Sequence, residues 1–149
     1  MLHLANTKTV AKIGTGDTTT SQTATHTVDT LGFGYASIDV VFEPTTATSD
    51  AICVACRVEE SDASGSGFAN ITSLVGNGTG GFAIPTSGSK TADSNVVAMN
   101  IDLRGRKRYL RVSATPVAAS VVATVVQLGR AEAGVVAAPE SGVQVRVDA

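Results

Sequence analysis

Apolar residues in this chain recur at every second position over short runs, and turn-forming residues interrupt each run. In YASIDVVFE, Ile38, Val40 and Phe42 fall on one side of an extended backbone, while Ser37, Asp39 and Glu43 fall on the other. The same period of two places Val97, Met99, Ile101 and Leu103 on one face of VVAMNIDL, and Leu110, Val112 and Ala114 on one face of KRYLRVSAT. No stretch offers the spacing of an amphipathic helix. Strands with one apolar face must be covered by other strands, so the pattern predicts an all-β domain. Composition agrees. Apolar residues make up 43% of the 149, but they are mostly Val and Ala, aromatics reach only 4% and Trp is absent. Such a core is β-branched and small, and one domain of this length buries enough surface to need no disulfide.

Further runs complete the set. AICVACRVEE is read with Ile52, Val54, Cys56 and Val58 on one side and Cys53, Ala55, Arg57 and Glu59 on the other. It is expected to pair with the Tyr35–Glu43 strand as a hairpin with a long loop. FANITSLV supplies Phe68 and either Ile71 or Leu74 to the core, and GNGTGGFAIPTSGSKTADSN is a long loop. The last strand is SVVATVVQL. Parts of Val117 to Val126 are apolar on both faces, which suits a central strand covered by the other sheet or buried at an oligomer interface. The expected fold is an antiparallel β-sandwich, jelly-roll or immunoglobulin-like, with extended terminal arms and the strand order open. Residues 1–30 are read as an arm or polar loop with one short strand, Lys8 to Ile13. Residues 31–130 are the sandwich core. Residues 131–149 are a C-terminal arm or strand, alternating at Val143, Val145 and Val147, that can close its own sheet or add to a neighbouring subunit.

Charge adds a local feature. The chain carries a formal −2, yet five of its eleven basic residues, Arg104, Arg106, Lys107, Arg108 and Arg111, lie within eight positions. Without those five the remainder stands at −7, a balance that argues against wholesale polyanion binding. Leu103 ends one strand and Tyr109 opens the next, so RGRK is placed in a hairpin turn with Gly105 free to take positive φ. Such a cluster could hold nucleic acid, protect an exposed hairpin from edge pairing, or dock on an acidic protein surface. A single Tyr is poor equipment for stacking bases, and no nucleic-acid partner is expected. The five residues are the candidate partner-binding site.

Other motifs carry less. Cys53 and Cys56 have C-x-x-C spacing, but on a strand they point to opposite faces, and the chain offers only His3 and His26 as further soft ligands. Both thiols are read as structural, and His26, in a Thr-rich run, as solvated. GNGTGG satisfies a dinucleotide-type glycine pattern without the helix that pattern must open. The acceptor triplets at Asn70 and Asn77 are read as chance. Asp39, Glu43, Glu59, Glu60, Asp62, Asp93 and Asp102 are scattered, and no catalytic triad or carboxylate pair emerges. Neither a secretion signal nor a membrane span is expected. The chain is thus expected to be no enzyme and to hold no cofactor or metal.

The order VACRVEESDASGSGFANITSL, a long Gly-rich segment, then VVAMNIDLRGRKRYLRVSATP resembles small structural proteins of tailed-bacteriophage virions. In that group a strand ending in V-x-E-S-D precedes an F-x-x-I/V strand, and a later R-x-x-K-R-Y-L/V-R-V strand ends near Thr-Pro. The similarity spans about Ile38 to Pro116. It implies a non-enzymatic head decoration or cement protein, made in the host cytoplasm and carried on the capsid surface. Its implied partners are the major capsid protein, whose subunit contacts it stabilises, and copies of itself, often as trimers. Two alternatives remain: a host-recognition or glycan-binding module of a fibre, with the loop from Gly76 to Asn95 as its contact surface, and a head-completion or tail-tube subunit.

Overall fold

A computed structural model of the chain describes residues 7–14, 22–44, 51–84 and 95–131. Eight strands follow in order: β1 (Lys8–Gly14), β2 (Ala24–Asp29), β3 (Phe33–Phe42), β4 (Cys53–Ser61), β5 (Ala69–Val75), β6 (Val96–Asp102), β7 (Tyr109–Pro116) and β8 (Val122–Ala131). They form two four-stranded antiparallel sheets packed together, sheet I in the order β1-β8-β3-β6 and sheet II in the order β2-β7-β4-β5. Four of the pairings nest: β1 with β8, β2 with β7, β3 with β6, and β4 with β5. The centre of that nest is the link between β4 and β5.

Alternation builds the core. The four central strands supply Ile38 and Val40 from β3, Val58 from β4, Leu110 and Val112 from β7, and Val126 and Leu128 from β8, all essentially without solvent exposure. Each such side chain removed from water contributes about 1.5–3 kcal/mol. Truncating Ile38 or Leu110 to Ala would cost about 3 kcal/mol through the cavity left behind.

Two of the links that carry the chain between the sheets, β2–β3 and β6–β7, are corners built alike. In Asp29-Thr30-Leu31-Gly32, the Leu31 N–H donates to Asp29 Oδ1 at 3.1 Å and the Phe33 N–H donates to the Thr30 carbonyl at 3.1 Å. In Asp102-Leu103-Arg104-Gly105, the Arg104 N–H donates to Asp102 Oδ1 at 3.0 Å and the Arg106 N–H donates to the Leu103 carbonyl at 3.0 Å. Gly32 and Gly105 take φ of +84° and +77°, which the third position of a type II turn requires and a Cβ would disfavour. The Asp side chain folds the first turn and the glycine completes the second. The corners lie side by side, joined by hydrogen bonds from the Thr30 N–H to the Arg108 carbonyl and from the Leu103 N–H to the Gly34 carbonyl.

Four expectations are corrected. RGRK is not a hairpin turn, because β6 pairs with β3 in sheet I while β7 lies between β2 and β4 in sheet II; Gly105 does take positive φ, but to cross between layers. β3 and β4 are likewise in different sheets and do not pair. Cys53 and Cys56 share the core face, since the register shifts between Cys53 and Ala55; this bulge turns Val54 outward at 61% exposure. The polar run before residue 30 supplies β2, with His26 and Val28 buried and Thr25 and Thr27 facing out. The expected central position of the last strand holds, with β8 between β1 and β3. Thr15 to Ser21, the later part of the Gly-rich loop and the tail with Val143, Val145 and Val147 lie outside the described residues.

Candidate functional site

The five basic residues cluster at the second corner and the start of β7, and each meets a carboxylate of its own chain. Arg104 Nε lies 3.0 and 3.1 Å from the two Asp102 oxygens. Arg106 Nη1 is 3.5 Å from Glu60 Oε1, and Lys107 Nζ is 3.5 Å from Asp62 Oδ2. Arg108 grips Asp29 with two hydrogen bonds of 3.0 and 2.7 Å, tying the two corners together, and stacks over the Tyr109 ring. Arg111 binds Glu59 in the same forked way at 2.9 and 3.1 Å. The charge excess seen along the chain is therefore cancelled in space by carboxylates from β2, β4 and the corners.

Glu59 is the centre of the best-built group. It is 6% exposed, accepts 3.0 Å from the Ser113 hydroxyl, and has Arg57 Nε at 3.6 Å, while Phe68 covers the Arg111 guanidinium at 4.1 Å. Arg111 chiefly, with Ser113, holds the Glu59 carboxyl below the ordinary glutamate range. Arg108 does the same for Asp29. With Thr25, Thr27 and Thr115 around this network, the outer face of sheet II is polar and internally bonded there, and Val54, turned out by the bulge at the start of β4, is its exposed apolar residue.

The outer face of sheet I has the opposite chemistry. Register places Ile13, Ala123, Val41 and Val96 side by side across all four strands, and the next row reads Ala11, Val125, Asp39 and Ala98. Ile13 is 69% exposed, Val96 46% and Val41 38%, and Val121 continues the patch beyond β8 at 38%. Farther along come Thr9, Gln127, Ser37 and Asn100. The face is thus apolar at one end, where a row four strands wide is bordered by Asp39 in the next row and by Glu43, which accepts from the Val121 N–H at 2.8 Å, and an exposed apolar strip of this kind is a candidate contact surface for another protein. Sequence reasoning recognised the second apolar set in SVVATVVQL but did not follow it onto β3, β6 and β1.

The remaining candidates have structural explanations. Burial pushes the Cys53 thiol up to about 11 and the Cys56 thiol, with Cys53 beside it, up to about 12, so neither is a thiolate at neutral pH. Among the described residues no group of three His, Cys, Asp or Glu side chains could hold a metal ion. The GNGTGG loop turns its amides on itself: Gly76 donates to the Cys56 carbonyl, Asn77 to Phe82, Gly78 to Val75 and Gly81 to Gly78, while the Asn77 side chain accepts from Ile84. Those amides are therefore engaged and do not form a phosphate cradle. Compared with family models, curated proteins and solved structures, the chain matches none.

Proposed function

We propose that the chain is a non-enzymatic structural subunit of a tailed-phage virion, a head decoration or cement protein that seats on the outside of the shell and bridges major capsid protein subunits. The observation that carries this reading is the contrast between the two outer faces: sheet I offers an apolar row across all four strands at one end, whereas sheet II, apart from Val54, is occupied by its own ion pairs. A subunit that is held by one face and meets solvent with the other has that asymmetry. The sequence pattern from Ile38 to Pro116 supports the virion assignment.

Within this proposal the sandwich is a jelly roll. The nested pairing, with β1-β8-β3-β6 facing β2-β7-β4-β5, supports it, because a long antiparallel hairpin rolled up from its β4–β5 tip yields that order. The docking face is the outer face of sheet I, and the basic corner is a secondary contact. Arg104, Arg106, Lys107, Arg108 and Arg111 would each have to exchange an internal carboxylate for one on the partner, which adds little net affinity. Copies gathered around a symmetry axis, as trimers, multiply a modest contact by effective concentration. A glycan-binding role for the Gly76–Asn95 loop gains no support from Phe82, which packs against the core.

The test is mass spectrometry on density-banded particles from a producing culture, comparing peptides of this chain with those of the major capsid protein. Near-stoichiometric abundance is the expected result. A few copies per particle would move the chain to a fibre, neck or tail, and absence would overturn the virion reading.

A further inference from the structure

The two sheets come together along one side where their edge strands, β1 and β2, lie against each other. The approach is close: a Cβ on Gly14 would sit 2.8 Å from the Ala24 Cβ. His26 of β2 lies in this seam, 6% exposed, and its Nδ1 has no hydrogen-bond partner among the described protein groups. A cavity of about 10 Å³, room for one water, borders it and is lined by Lys12, Gly14, Thr25 and Thr124 among others. Lys12 stays at the seam by donating 2.7 Å to the Thr25 carbonyl.

The charged surroundings are one-sided. β1 contributes Lys12, β8 contributes Val122 and Thr124, and β7 sets Val112 opposite His26 across the pair. Arg111, the neighbour of Val112, projects to the outer face and is held by Glu59. Among the described residues no carboxylate acts on His26, while Lys12 repels a charge there. A second cation at this place would have room for about one water and, among the described residues, no counter-ion.

We propose that His26 makes the β1–β2 seam acid-sensitive: its protonation sets a buried imidazolium against Lys12 and separates the edge strand β1 from β2, while the β4–β7 side of the sandwich stays closed. The step is a proton uptake from solvent and nothing else. Burial first, and Lys12 second, hold the imidazole below its ordinary value near 6.5. The folded chain therefore binds that proton less readily than the unfolded one. Stability is complete above about pH 6.5 and falls as the pH drops from there through the lowered value of the folded state. The inference is independent of the virion reading, since it concerns the chain alone.

Hydrogen exchange on the full chain between pH 7.5 and 5, corrected for the intrinsic pH dependence of amide exchange, tests it, alongside NMR titration of the histidine ring protons. The expected result is a His26 midpoint below that of a free imidazole. Seam amides of β1 and β2, and those of β7 and β8 bonded to them, should lose protection by up to about tenfold per pH unit inside the window, with little change in β4 and β5. His26→Leu should flatten that response, and Lys12→Met should raise the His26 midpoint. An ordinary midpoint for His26, or an unchanged seam response in His26→Leu, would overturn the proposal. Because titration and exchange are both read on the unaltered chain, seam amides whose protection does not fall as His26 takes up its proton overturn the proposal even if a variant fails to fold.

Discussion

The two outer faces are built from the same kind of strand and end in opposite chemistry. On sheet II, outward positions beyond Val54 carry Arg57, Glu59, Arg111 and Ser113, and these satisfy one another so fully that Glu59 is buried although it points away from the core. On sheet I, the outward row from Ile13 through Ala123 and Val41 to Val96 offers no polar group at all. A charge cluster in sequence is not a sticky surface in space if its counter-charges fold beside it. Conversely, an unremarkable set of Val and Ala becomes a surface once register lines it up. On this difference rests the proposal that the outer face of sheet I, with the basic corner as a secondary contact, is the docking surface.

The largest effect is expected from Val41→Glu. Val41 is outward on a central strand, so the change should leave the melting temperature nearly unaltered. At a docking face it would bury an unpaired carboxylate, and particle binding should weaken about a hundredfold or more. Equal binding by parent and variant in a sedimentation assay would remove sheet I from the interface.

Glu59→Ala should do the reverse. It strands Arg111, Arg57 and Ser113 and should cost about 2 kcal/mol, lowering the melting temperature by about 5 °C, with particle binding intact. The loss should be seen at neutral pH and shrink in acid, because a carboxyl held low contributes stability above its ordinary range and loses it as pH falls through its lowered value. A calorimetric series over pH 3–7 checks the sign.

The smallest effect belongs to Arg104→Glu. Arg104 is exposed and, among the described residues, paired to Asp102 two positions away, so binding should change by less than about threefold and the remaining dependence should fade with salt. A loss as large as that of Val41→Glu would return docking to the basic corner.

Strand positions were legible because a period of two survives wherever one face is buried, as in Ile38–Val40–Phe42. Partnership between strands was not, since the period says which face points inward but not which strand lies alongside. Adjacency in sequence suggested hairpins for β3 with β4 and for β6 with β7, yet the Asp-x-x-Gly corner redirects the chain between layers in one of these links. That corner occurs twice, as DTLG and DLRG, and its repetition was a readable signal. The bulge at Cys53–Ala55 leaves no mark in the alternation, so it reversed the facing of one cysteine. β2 was missed because His26 and Val28 are its only large inward residues. Of the site, the basic residues were plain in sequence, but their counter-charges at Asp29, Glu59, Glu60 and Asp62 lie tens of residues away and meet them only through the sheet order.

Hydroxyl-radical footprinting of the chain, free and bound to purified particles, reads out which outer face is covered. Loss of reactivity at Ile13, Val41 and Val96, with Phe68 and Tyr109 unchanged, is the expected result. Protection confined to residues 104–111, with Val41 and Val96 as reactive as in the free chain, would contradict it.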